Sequence, residues 1–210
     1  MYLLISYNCI KIIKMNTDSP KYSDIVNTAR KLFWKHGISR VSIEEICKEA
    51  NVSKMTFYRF FSNKKELGKQ VIDDIIDESL VKYRDLMKQN IPFDKKIKKT
   101  LLLKFEGTKE ISAELVKDIY SNTKLGLHKH WQKRADEFTE EIKNDYANAQ
   151  KEGFIRKDIN LDFLFYFNSK ATDLIADPKI QEMYGNMQEL IMEYANMFFY
   201  GIFTQKNKGE

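Results

Sequence analysis

The chain has 210 residues, 43% of them hydrophobic and 31% charged, with only eight Gly and three Pro. That balance excludes wholesale disorder and disfavours a turn-rich sandwich or barrel, so the expected fold is all-α. Formal charge is +5, but residues 16–69 carry eleven Lys/Arg against six Asp/Glu while residues 70–210 carry 22 against 24; the positive excess of the first third points to a polyanionic partner. Every apolar run is too short to span a membrane, so no membrane partner is expected. Cys9 and Cys47 offer neither a disulfide framework nor a zinc quartet. The expectation is a cytoplasmic protein with no metal and no cofactor.

Residues 1–20 read as a flexible extension. Asn8, Lys11 and Lys14 interrupt its apolar run and no small-residue cleavage site follows, which argues against a secretory signal and leaves Met15 as an alternative start. Ser19-Pro20 then opens a helix: Ile25, Ala29, Leu32 and Phe33 share a face, and Gly37 closes it. Ser42-Ile43-Glu44-Glu45 is a capping box, with Val41 and Ile46 spaced as its hydrophobic staple. Asn51-Val52-Ser53 is a tight break, after which Ser53 caps a second short helix running to about Phe60. Asn63 and Glu66 open a long helix of about 39 Å to Gln89. Further helices are expected over 92–107, 112–122, 131–151, 161–176 and, after Asp177-Pro178, to about Phe203, leaving 206–210 as a tail.

A helix supporting two short helices across a tight break is the helix-turn-helix arrangement. Phe57 and Phe61, four apart, form the inner face of the second short helix, which leaves Lys54, Met55, Thr56 and Tyr58 for its outer surface. Ser42 and Lys64 sit at helix starts, where free amides and side chains hold phosphate oxygens.

Residues 25–67 resemble the DNA-binding domain of the TetR/AcrR family of transcriptional regulators. The resemblance rests on Ala29, Leu32, Phe33, Gly37, Ser42, Ile43, Ile46, Ala50 and Val52-Ser53, and above all on Phe57-Tyr58-x-Phe60-Phe61-x-x-Lys64-x-x-Leu67. Two positions depart from the family pattern: Phe60 stands where His or Tyr is usual, and Met55 where Gly is frequent. The resemblance implies a double-stranded DNA operator as partner. Tyr58, Lys64 and Ser42 would grip phosphates, with Ser53 at the start of the reading helix. Lys54, Met55 and Thr56 would face bases, Met55 meeting a thymine methyl or the groove wall. Lys21 and Tyr22 would reach backbone or minor groove.

Residues 69–205 form an expected second helical body rich in large aromatics. Tyr194 to Phe203 is apolar nearly all round, which calls for a partner surface, and a second copy of the chain fits. Architecture carried over from the resembling family places the interface on the last two helices, with Leu164, Asn168, Thr172, Tyr194 and Phe198 as candidates. It also places a pocket for a small apolar or aromatic effector among the middle helices, with walls at Tyr83, Phe105, Leu115, Tyr120, Trp131 and Phe167.

No hydrolase elbow, dinucleotide loop, P-loop or zincin motif occurs, so no enzyme is expected. His128-Lys129-His130 reads as solvated loop histidines, and Asp136, Glu137, Glu140 and Glu141 as a solvated helix face. The expected function is a repressor released from a palindromic operator by a small molecule. The alternative is a helical sensor or interaction module without specific DNA binding.

Overall fold

The computed structural model describes residues 19–203, apart from the side chains of Thr172 and Asp173. Most of the expected N-terminal extension, Met15 and Cys9 included, and the 206–210 tail lie outside the described residues. Among the described residues ten helices follow one another: α1 (Pro20–His36), α2 (Ile43–Glu49), α3 (Lys54–Phe60), α4 (Lys64–Met87), α5 (Phe93–Gly107), α6 (Ala113–Tyr120), α7 (Leu127–Lys151), α8 (Leu161–Ile175), α9 (Pro178–Gln181) and α10 (Met187–Ile202). Among the described residues the only β-type pairing is an isolated bridge between Ile155 and Phe203.

Helix starts follow local chemistry. Ser42 accepts from the amide of Glu45, whose side chain reaches back to the Ser42 amide, completing the capping box. Ser53, Asn63 and Ser112 each accept from the amide three residues on, at the starts of α3, α4 and α6.

Two elements differ from the sequence expectation. Helix α7 starts at Leu127, four residues early, because Gly126 adopts a left-handed φ of 60° and turns the chain into the helix. His128 and His130 therefore lie on its first turns rather than in a loop. The His128 ring meets Tyr120 edge-on, and Nε2 of His130 lies 2.8 Å from the Asp73 carboxylate. The expected single last helix is broken into α9 and α10. At the break Asn186 accepts from the Glu189 amide and the Glu189 carboxylate accepts from Gly185 N–H, a second cap that restarts the helix.

Among the described residues three apolar clusters hold the helices together. The first joins α1–α3 to the front half of α4 and to α6 and α7. Ile25, Phe33, Ile46, Phe57 and Leu67 are shut off from solvent there, and Leu115, Ile119 and Leu127 belong to it too. The second packs Phe93, Ile97 and Leu101 of α5 against Tyr146, Leu164, Ala195 and Phe199. A small third cluster gathers Val116, Met187 and Leu190. The acidic run on α7 is partly paired rather than only solvated: Glu141 with Arg84, Glu137 with Arg134 and Glu140 with Lys143.

The junction of the two bodies is polar. Trp34 donates from its indole to the Lys109 carbonyl at 2.8 Å, and its own carbonyl accepts from the Ser112 amide and hydroxyl. Asp118, buried at 5% exposure, accepts from the Ser39 amide at 2.6 Å, the Ser39 hydroxyl at 2.5 Å and the Asn122 side-chain amide at 3.0 Å. Helix α6 comes this close because Gly37 has no side chain. A Cβ there would lie 2.8 Å from Cβ of Glu114 and 3.0 Å from the Asp118 carboxylate, at a φ of 78° that disfavours L-residues. Gly37→Ala is therefore expected to lower stability by roughly 1–3 kcal/mol through backbone strain alone, with overlap adding to it. Urea unfolding with the midpoint unchanged would show that α6 does not need this approach.

Candidate nucleic-acid interface

The geometry of α2 and α3 is set by the three residues between them. Val52 N–H bonds back to the Cys47 carbonyl at 2.9 Å and Asn51 N–H to that of Lys48 at 3.2 Å, a Schellman closure of α2. Asn51 supplies the left-handed residue it requires, at φ 51°. The chain then turns into α3 through Ser53, whose hydroxyl oxygen accepts from the Thr56 amide at 3.0 Å and lies 2.9 Å from the Thr56 hydroxyl.

Burial orients α3. Phe57 is fully buried and tilts against Phe61, which fixes the inner face. Met55 is then 82% exposed and Tyr58 54% exposed, with Lys54 on the same open side and Thr56 half-buried. The outward row expected from the sequence is therefore present as a row. Deeper partners distinguish its members. Lys54 is paired with Glu44 at the start of α2, which ties the two helices together and holds the Glu44 carboxyl below its ordinary range. Tyr58 meets the Phe57 ring edge-on at 5.4 Å, so its ring is propped on the core while its exposed end faces out.

Lys64 and Tyr22 both have partners inside the protein. The Lys64 ammonium donates to the carbonyls of Ser39 at 3.0 Å and Val41 at 2.6 Å, pinning the loop that carries Ser42. Burial pushes its pKa down, while Asp118 and Glu45 act in the opposite sense. Two of its three donors are thus spent inside the protein. Tyr22 stacks on Phe61 at 5.3 Å and meets Phe60 edge-on at 5.7 Å, so its half-buried ring packs against the core of the domain. Burial first, then Asp74 and Asp73, push its hydroxyl up to about 12. Phe60, where a polar tip was absent, is accounted for by the same contact. Lys21 is exposed on the first turn of α1, and Ser42 is exposed with its hydroxyl oxygen in the capping box. Arg59 was missed. Its guanidinium is exposed and sits 5.0 Å above the Phe60 ring, beside Tyr58. A cation on the open side of the reading helix was the available signal.

The residues expected to line a pocket do not converge on one chamber. Leu115 is buried in the first cluster, Tyr120 and Trp131 meet edge-on at 5.7 Å against it, and the Tyr83 hydroxyl donates to Asp145 at 2.9 Å. Phe105 and Phe167 are each 49% exposed. A cleft of about 450 Å³ lies elsewhere, at the α4–α5 turn, between Met87, Phe93 and Lys96 on one side and Asp145 and Phe154 on the other. On the last helices, Leu164 is buried in the second cluster, and Asn168 accepts from the Tyr194 hydroxyl at 2.9 Å. Phe198 packs half-buried between Tyr194 and Phe199, and the Thr172 side chain lies outside the described set. The exposed apolar row is instead Phe163, Tyr166 and Phe167 on α8 with Met197 and Tyr200 on α10.

A buried-core helix-turn-helix with an open reading face, mounted through a long helix on an all-α second body, defines a DNA-binding transcriptional regulator. Residues 25–71 match the family model for bacterial regulatory proteins of the tetR family, so the helix-turn-helix segment is of the TetR type. The chain is 25% identical over 134 residues to the uncharacterized HTH-type transcriptional regulator YhgD of Bacillus subtilis, covering 63% of this chain and 70% of that one. It is 26% identical over 152 residues to the HTH-type transcriptional regulator UidR of Escherichia coli, covering 70% of this chain and 75% of that one. Among solved structures, the fatty acid degradation regulator FadR from Bacillus halodurans superposes with a TM-score of 0.65 at 17% identity, over 88% of this chain and 97% of that one. GusR of Salmonella enterica gives 0.60 at 16% identity, over 86% and 96%. At those identities the likeness to the structures is one of fold.

Because Lys64 bonds two carbonyls of the loop before α2, Lys64→Met should lower stability by about 1.5–3 kcal/mol, the usual worth of hydrogen bonds from a charged group. DNA binding should fall alike on all sequences. Thermal unfolding identical to the parent would return Lys64 to a purely surface role.

Proposed function

We propose that this regulator is a repressor: a homodimer in the cytoplasm that binds a near-palindromic operator in double-stranded DNA and is released by a small-molecule effector. The observation that carries the DNA-reading part is the orientation of α3. Phe57 is buried and holds Lys54, Met55, Thr56 and Tyr58 on the open side. In this reading Met55 and Thr56 meet base edges, Lys54 exchanges Glu44 for the DNA, and Tyr58, Ser42, Ser53, Lys21 and the remaining donor of Lys64 contact phosphates, joined by Arg59.

The dimer is supported by the exposed aromatic row on α8 and α10, which a lone subunit leaves in water. Pairing those two helices with their copies buries it and sets two α3 helices for successive major grooves, about 34–36 Å or a multiple apart. Effector control is supported by the junction at α6, through which any shift in the second body reaches the loop of Ser39 and Val41. A coupling of about 1–3 kcal/mol there changes operator affinity roughly 5–150-fold.

A second reading, a sensor or interaction module without an operator, draws on the Lys54–Glu44 pair and on the apolar Phe60. Selection of genomic fragments by purified protein at about 150 mM salt, where non-specific binding is weakened, separates the two. The expected result is a short inverted repeat. Thr56→Ala should cost roughly 1–3 kcal/mol at one operator position, while Tyr58→Phe weakens all sequences alike. No enriched sequence from a folded dimer would favour the second reading. For the interface, Phe163→Glu is expected to give a monomer by sedimentation at micromolar concentration and to abolish operator binding; an unchanged dimer would move the interface off α8.

A further inference from the structure

Glu44 is a carboxylate on a face expected to meet phosphates. It stands in the first turn of α2, directly after Ile43, where free amides favour either an acidic side chain or a phosphate oxygen. Its neighbour Glu45 turns back to the Ser42 amide and completes the cap. Glu44 instead reaches across to the first residue of α3 and meets the Lys54 ammonium. Both side chains are more than half exposed, so the pair is open to whatever approaches the reading helix. Among the described residues Lys54 is the one charged group acting on that carboxylate.

The pair lies at the reading end of α3. Lys54 opens that helix beside the exposed Met55, and Tyr58 stands one turn further along the same side. An exposed ion pair contributes little, so Lys54 can leave it for an acceptor on a base. The carboxylate left behind is the costly part. It loses water as the surfaces close and faces phosphates and base acceptors without a counter-charge. Only two groups donate in the major groove, the amino groups of cytosine and adenine. A G·C pair sets the cytosine donor beside the guanine acceptors that suit a lysine. Two side chains that touch in the free protein can therefore both be satisfied on that one base pair, Lys54 by guanine and Glu44 by cytosine.

We propose that Glu44 is a specificity-determining residue: it accepts from a cytosine amino group while Lys54 donates to the paired guanine, so that the two side chains read one G·C pair in each half-site as a unit. On other sequences the carboxylate is left against acceptors and phosphates and opposes binding. This rests on the DNA reading proposed above and sharpens it, adding a base pair and a residue that the outward row of α3 does not contain.

The test takes the inverted repeat from the genomic selection. Binding of the full chain is measured on duplexes carrying each possible base pair at every half-site position, and on one duplex of scrambled sequence. The parent should prefer G·C at one position by roughly tenfold or more, the usual discrimination of a good paired contact. Glu44→Ala should cut that preference by roughly threefold or more, leave the other positions unchanged and bind the scrambled duplex more tightly than the parent does. Lys54→Met should relax the same position. Glu49→Ala, which removes an exposed carboxylate at the far end of α2, should leave the base preferences as they are. If Glu44→Ala strengthens every duplex by one common factor, the carboxylate acts by repulsion alone and the assignment is overturned. It is overturned equally if no single position responds, or if the position that responds is not the one relaxed by Lys54→Met. A folded, dimeric parent without any sequence preference removes the DNA reading itself, and this assignment with it.

Discussion

The contact on which the rest depends is the one between Asp118 and the loop after α1. A buried carboxylate accepts two hydrogen bonds from Ser39, and Lys64 crosses from the start of α4 to the carbonyls of Ser39 and Val41. Four residues from three parts of the chain thus meet on one short loop. That loop leads into Ser42 and the capping box of α2, so the angle at which the reading helix leaves the body is set here. Gly37 makes the approach possible by having nothing to place in the gap. A buried polar junction of this kind is directional: its groups are satisfied in one arrangement and costly in others, unlike an apolar contact that tolerates sliding.

Two kinds of packing then divide the labour. The first apolar cluster runs without a break from α1 into α6 and α7, so the DNA-reading domain is not a bead on a linker but shares its core with the second body. The ion pairs between α4 and α7, Asp73 and Asp77 with Arg134 and Arg84 with Glu141, lock the long helix to its neighbour along its length. Further from the DNA-reading domain the packing separates into two smaller clusters.

Much of the front half was legible in residue order. Capping boxes, the Ser19-Pro20 start and the four-residue spacing of Phe57 and Phe61 act over one or two turns of helix, and local signals of that range survive in a sequence. The rear was less so. The break before α10 was missed because Asn186 and Glu189 sit in an apolar run whose periodicity looked continuous. The pocket residues were chosen for size, and size alone does not say whether a ring points at solvent, as Phe167 does, or at a core, as Leu115 does.

By itself the sequence determined that the chain is helical, that its first third carries a helix-turn-helix with a basic surplus, and which side chains of the reading helix face outward. These follow from composition, from period and from caps, all of them local. The tertiary structure alone decided which partners those side chains and their neighbours have: that Lys54 is tied to Glu44, that Lys64 braces a loop, and that the Tyr22 ring packs on Phe61. Each of these depends on atoms brought together from distant parts of the chain or from a neighbouring helix. A lysine looks the same in sequence whether it meets water, a carboxylate or a carbonyl.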